Sequence, residues 1–145
     1  LDALLQYDGQ GNSLLVSGCP SCQLPGISRM YRCVECFDHD MVCKDCCLQQ
    51  HNHLPLHHIN VWNGRFFERT SLAAMGLKVY LGHTNCPMTK EPSLVPIIHT
   101  NGIHCVNVLL CGHGATVHPQ YQLLRCSWYC QGHAATRAPN KYKHR

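Results

Sequence analysis

Three C-x2-C pairs, Cys19/Cys22, Cys33/Cys36 and Cys43/Cys46, run directly into a histidine cluster at His51, His53 and His57. This pattern restricts the chain more than any apolar periodicity does. Two residues between cysteines let one tight turn aim both sulfurs at a single ion about 2.3 Å away, and eight such donors suit two tetrahedral zinc ions. Twelve cysteines would also serve a disulfide framework in a secreted domain. Two features favour metal and a reducing compartment. The cysteines pair locally with histidines completing the set, and Leu1 to Tyr7 has neither the basic start nor the long apolar run of a signal peptide. Leu1, in place of an initiator methionine, reads as a processed, excised or truncated start. No stretch approaches the roughly 18 apolar residues of a transmembrane helix, so no membrane partner is expected.

Composition supports small metal-held lobes over one large core. The apolar fraction of 45% counts all 12 cysteines, which leaves a modest supply of ordinary core side chains. The formal net charge of +4 comes wholly from Arg137, Lys141, Lys143 and Arg145, a short basic tail, because basic and acidic residues balance before it. Six zinc-bound thiolates on two divalent ions would lower that net charge by about two. A strongly basic nucleic-acid domain looks different.

The expected fold is a small, zinc-stabilised α+β chain: a lead-in over 1–17, a double-zinc cluster over 18–60, a β-rich lobe over 61–136 and the basic tail over 137–145. In the lead-in, Leu14, Leu15 and Val16 suggest a short strand. In the cluster, two short strands are expected to meet around a Phe37 to Asp40 turn that contains His39, and Lys44 to Gln50 suits a short helix. The stretch from Tyr31 to Cys36, with Asp38, Asp40, Cys43 and Cys46, looks like a ZZ or B-box type of cross-brace. Interleaved pairing is preferred: Cys19, Cys22, Cys43 and Cys46 on the first zinc, Cys33, Cys36, His51 and His57 on the second. Sequential pairing remains the alternative, and His53 is the substitute for one of the two histidines, since both spacings fall within the usual H-x3-5-H range. Cys47 and His58 read as neighbours of the ligands.

In the second lobe, Thr70 or Ser71 is placed to cap a helical turn through Leu72 to Met75, with Gly76 ending it. Leu77, Val79 and Leu81 alternate with Lys78 and Tyr80 as a half-buried strand does. Asn101-Gly102 between apolar runs predicts a type I′ hairpin, with Pro92 and Pro96 confining its first strand to an edge. Tyr121 to Cys130 fits strand or helix equally. A third zinc site is suggested where His83-x2-Cys86 closes one strand and Cys111-x-His113 closes the hairpin; the alternative is a buried Cys111 thiol and an ordinary surface His83. Cys105, Cys126 and Cys130 read as small core residues, and Trp62, Phe66 and Phe67 as an aromatic joint between lobes. His99, His104, His118, His133 and His144 show no pairing.

The run Leu54-Pro55-Leu56-His57, Val61-Trp62-Asn63-Gly64, Phe66-Phe67-Glu68-Arg69, Gly76-Leu77, Leu81-Gly82-His83, Thr100 to His104, Cys111-Gly112 and Gln122 to Arg125 resembles the CxC-type (CxC2-like) cysteine cluster associated with KDZ transposases of basidiomycete fungi, across roughly residues 19–136. The resemblance implies a nuclear, transposon-encoded protein whose transposase domain lies in the same parent protein and outside this chain. It favours His51 over His53. Cys111-Gly112-His113 stands where the family tends to read Cys-Gly-Cys, Cys105 stands where an acid is usual, and the basic tail replaces the familiar ending, which suggests a truncated or decayed copy.

Three function classes follow from these residues. A zinc-bound recognition module for DNA or chromatin comes first, with Arg29, Arg32, Arg65, Arg69 and the tail placed to meet phosphates. A peptide-binding module, which needs no basic surface, comes second. An enzyme comes last, with no small-molecule substrate. Closed four-ligand sites leave no position for water, and the eight acids form no two-metal nuclease set. A RING-like ubiquitin ligase ranks lower still, because the final ligand pair is histidine.

Overall fold

The computed structural model describes residues 9, 18–26, 30–38, 40–83, 91–112 and 118–128. The Leu14 to Val16 segment, Arg29, His39, Cys86, His113, Cys130, His133, His144 and the basic tail lie outside the described residues. The chain is a small mixed α+β protein that divides into two compact units, Leu1–Leu77 and Lys78–Arg145.

The first unit contains a three-stranded antiparallel sheet of β1 (Tyr31–Cys33), β2 (Ile59–Trp62) and β3 (Phe67–Thr70), with β2 in the centre. Helix α1 (Lys44–Gln50) begins immediately after Cys43, and helix α2 (Leu72–Met75) follows β3. The strands expected around the Phe37 to Asp40 turn reduce to a single antiparallel bridge, Tyr31 to Val42, closed by both backbone hydrogen bonds at 2.8 and 2.9 Å. The longer partner of β1 is β2. The first unit extends to Leu77.

Helix α2 forms as its sequence dictates. Ser71 Oγ accepts the Ala74 N–H at 3.1 Å, and Gly76, at φ +102°, takes the left-handed conformation that ends the helix. The core of this unit clusters Cys19, Cys33, Cys43, Cys46 and Cys47 with Val42, Ile59, Leu72, Met75 and Leu77. Five buried aliphatic side chains contribute about 1.5–3 kcal/mol each. A single structural zinc contributes about 10–16 kcal/mol in finger peptides, so ion binding can outweigh the whole apolar core here.

The second unit has a sheet in the order β4 (Lys78–Tyr80), β6 (Gly102–Leu109), β5 (Ser93–His99). Pro96 sits in β5, an edge strand, where its missing N–H is tolerated. The hairpin is present with a different turn. His99 pairs with Gly102, so Thr100 and Asn101 form the loop. Gly102 has φ +137°, while Asn101 is not among the described residues with positive φ, so this is no type I′ turn. Asn101 has another role: its Oδ1 accepts from His99 Nδ1 at 2.7 Å and from His104 Nε2 at 2.8 Å. Of the Tyr121 to Cys130 segment, which is described as far as Trp128, the first part is helical in α3 (Pro119–Arg125), with Pro119 in its first turn and His118 Nδ1 accepting the Gln120 N–H. Helix-forming Gln, Leu and Arg side chains follow, so local propensity agrees.

Candidate metal centre

The first four sulfurs meet because a turn and a helix start face one another. Cys19 and Cys22 occupy a tight knuckle in which Gln23 N–H donates to the Cys19 carbonyl at 2.7 Å and Cys19 N–H to the Leu24 carbonyl at 3.1 Å. Gly18 precedes it at φ +109°, and a Cβ there would lie 2.5 Å from the Leu24 carbonyl oxygen. Only glycine fits. Cys43 and Cys46 come from the first turn of α1, and Cys43 N–H donates to Cys19 Sγ at 3.2 Å. Donor atoms of Cys19, Cys22, Cys43 and Cys46 all lie within 4.8 Å of one another, with Cys22 Sγ 3.7 Å from Cys43 Sγ. Two thiolates at tetrahedral positions on one zinc stand about 3.8 Å apart, given Zn–S of about 2.3 Å.

The second tetrad is Cys33, Cys36, His51 and His57, also within 4.8 Å. Cys33 ends β1, Cys36 follows in a turn with its N–H donating to Cys33 Sγ, and His51 stands at the C-terminus of α1. His57 Nδ1 lies 3.3 Å from Cys33 Sγ and 3.5 Å from Cys36 Sγ, and His51 Nε2 lies 3.5 Å from Cys36 Sγ. A tetrahedral S–Zn–N edge is about 3.6 Å. The knuckles are thus interleaved: first with third, second with the histidines. His53 is exposed and outside the tetrad. Cys47 is buried beside His51 without joining it.

The electrostatics of these donors call for a cation. Burial pushes the Cys19 thiol up, but N–H groups of Cys43, Cys22 and Ser21 outweigh it and bring the thiol down to about 6. Cys46 is drawn down by Ser21, yet Cys43, burial, Cys22 and Cys19 drive it up to about 12. Sulfurs this close cannot all ionise on their own, and a divalent ion removes that conflict. His51 is raised to about 11 by the Cys33 sulfur first and Cys47 second. Both tetrads are therefore poised to bind metal, with zinc suited to S4 and S2N2 sets.

Two supporting contacts carry no sequence signature. Glu35 binds both the His58 backbone N–H, at 2.7 Å, and the His58 ring Nδ1, which ties the turn after Cys33 to the segment after His57. Gln122 Oε1, buried on α3, accepts the Cys111 N–H at 2.7 Å. Both join residues far apart in sequence, and spacing arguments do not reach them.

At the other proposed cluster, β4 and β6 are parallel and end in register, Tyr80 opposite Leu109. His83 and Cys111 therefore leave the sheet at the same end, with Cys111 Sγ 4.0 Å from His83 Nε2. Cys111 is half-exposed, so it is not the buried thiol of the alternative reading. Cys105 and Cys126 are exposed, which corrects their assignment to the core. Cys105 alternates onto the solvent side of β6, and Cys126 follows the last turn of α3. Trp62 and Phe67 pack edge to face on one another at 5.0 Å, and Phe66 is 57% exposed.

Fold and tetrads define a small α+β cysteine-cluster domain with two Cys/His sites built to chelate metal. Residues 72–141 match the family described as CxC2 like cysteine cluster associated with KDZ transposases, so this part of the chain is similar to that family. The match starts at Leu72, so both tetrads lie ahead of it, and the likeness expected from Cys19 onward is carried by the later part. No curated protein and no solved structure matches the chain. No helix among the described residues is long and apolar enough to cross a membrane.

Proposed function

We propose that this chain is a zinc-stabilised recognition module of a KDZ transposase-like protein, working in the nucleus and engaging DNA or chromatin. The carrying observation is the pair of interleaved tetrads, each with four protein donors. Four donors close a zinc shell and leave it a scaffold role. On this reading Cys19, Cys22, Cys43 and Cys46 hold one zinc, Cys33, Cys36, His51 and His57 the second, in a ZZ or B-box-like cross-brace. The 4.0 Å approach of His83 to Cys111 supports a third zinc, with Cys86 and His113 as the remaining ligands by sequence spacing.

A peptide-binding reading draws on the second unit. Leu94, Ile98 and Ile103 are each more than 60% exposed, and Ile98 pairs with Ile103 across the hairpin. Exposed apolar patches of this kind mark protein contacts.

Native mass spectrometry counts the zincs, and titration with duplex DNA at two salt concentrations beside a histone-tail peptide array separates the readings. Salt-sensitive DNA binding by a two- or three-zinc chain is expected. Peptide capture without DNA binding would favour the second reading.

A further inference from the structure

Three of the four donors at the second tetrad are placed by β1, by the turn that follows it and by α1. Cys33 closes β1, the Cys36 N–H donates to Cys33 Sγ, and His51 stands at the end of α1 with its Nδ1 on the Cys47 carbonyl. His57 belongs instead to the segment between α1 and β2. The residue that follows it is gripped by the knuckle itself. Antiparallel pairing sets Cys33 opposite Ile59, and the ladder continues one step beyond, where the Val34 N–H donates to the His58 carbonyl at 3.0 Å. Glu35 completes the joint: its Oε2 accepts the His58 backbone N–H at 2.7 Å, and its Oε1 meets the His58 ring at Nδ1. Both residues between the two ligand cysteines therefore hold His58. The same Glu35 oxygen that takes the backbone N–H lies 3.8 Å from Cys33 Sγ, so the carboxylate stands beside the metal donors.

The peptide unit that joins His57 to His58 is planar, so a hydrogen bond to its N–H orients it as a whole and with it the Cα that carries the His57 ring. His57 Nδ1 then stands 3.3 Å from Cys33 Sγ and 3.5 Å from Cys36 Sγ. A donor that must be ordered at the moment of binding subtracts that entropy from metal affinity, and a donor already tied beside the site does not. We propose that Glu35 is a positioning residue of the second metal site: with His58 it forms a latch that holds His57 at the ion. One knuckle then supplies two sulfurs and also places the last nitrogen. The Glu35 and His58 side chains are partly exposed, and ion pairs of that kind add little to global stability, so the effect falls on metal binding at one site. This role deepens the zinc reading of the second tetrad and rests on it.

The test is a cobalt(II) titration of the full reduced chain followed by visible absorption, in which S4 and S2N2 sites differ in ligand field and the bands that His51→Ala removes identify the second site. Glu35→Ala is expected to weaken cobalt binding there about 10–100-fold, the usual cost of an outer-shell partner, while the first site changes less than about two-fold. Glu35→Gln keeps an oxygen for the His58 N–H and should recover most of the loss. His58→Ala keeps that N–H and loses only the ring contact, so its effect should be the smaller one. In the chain loaded with cadmium-113, Glu35→Ala should abolish scalar coupling between the metal and the His57 ring while couplings to Cys33, Cys36 and His51 persist, a pattern that general loss of structure does not produce. Unchanged second-site affinity, a His57 coupling that survives Glu35→Ala, or equal losses at both sites would overturn the latch while the zinc reading stands. An unsubstituted chain that binds no metal at the second tetrad would overturn both.

Discussion

His51 turns its Nδ1 to the Cys47 carbonyl at 2.8 Å, which leaves Nε2 facing Cys36 Sγ at 3.5 Å. A backbone carbonyl that takes the Nδ1 proton fixes the neutral tautomer with its lone pair on Nε2, the arrangement that metal-bound histidines use. Because Cys47 lies four residues earlier, α1 itself orients the ligand. His57 presents its other nitrogen, Nδ1, to the same sulfurs.

Loss of that ligand should be specific. His51→Ala is expected to weaken metal binding at the second tetrad by more than the roughly 10–100-fold that losing an outer-shell partner costs, while His53→Ala leaves it unchanged. Competition titration with a chromophoric chelator measures both. Equal effects would contradict the tetrad.

Metal removal should unfold the first unit, because half of its core cluster is cysteine. Exhaustive chelation is expected to abolish its far-ultraviolet circular dichroism signal, and zinc should restore it. A fold that survives chelation would show that the apolar side chains suffice.

Affinity for zinc should rise with pH. In the metal-free chain His51, raised to about 11, and Cys46, raised to about 12, hold protons at neutral pH. The ion displaces those protons, so the bound state carries fewer of them and higher pH favours it. Calorimetry in buffers of different ionisation enthalpy is expected to show net proton release at pH 7, with affinity falling as pH drops.

Gly18→Ala should damage the first knuckle without touching a ligand. The new Cβ would meet the Leu24 carbonyl at 2.5 Å in a residue already at φ +109°. About 1–3 kcal/mol of strain is expected, read as a lower unfolding midpoint of the zinc-loaded chain. Gly64→Ala, also at positive φ but with open space around its Cβ, isolates the clash from the backbone cost.

Much of the local structure was legible because it depends on near neighbours. The limits of α1, the Ser71 and Gly76 caps of α2 and the strand at Val79 follow from capping chemistry and alternation over a few residues. The turn at Asn101 departs from the type I′ expectation for an equally physical reason. Asn-Gly favours type I′ in isolation, whereas the Asn101 side chain here bridges His99 and His104, and pairing of His99 with Gly102 shifts the loop by one residue.

Cysteine and histidine spacing alone determined that this chain offers donors in turn-sized pairs, since two intervening residues fix the reach of a knuckle whatever surrounds it. Tertiary structure decided which pairs meet: α1 carries Cys43 and Cys46 to the first knuckle at its start and His51 to the second at its end. Parallel pairing of β4 with β6 likewise brought His83 to Cys111, and the β1–β2–β3 register aligned Arg32 with Arg69. Each of these meetings joins residues at least 15 apart in sequence, a distance over which strand register and helix placement govern proximity and spacing does not.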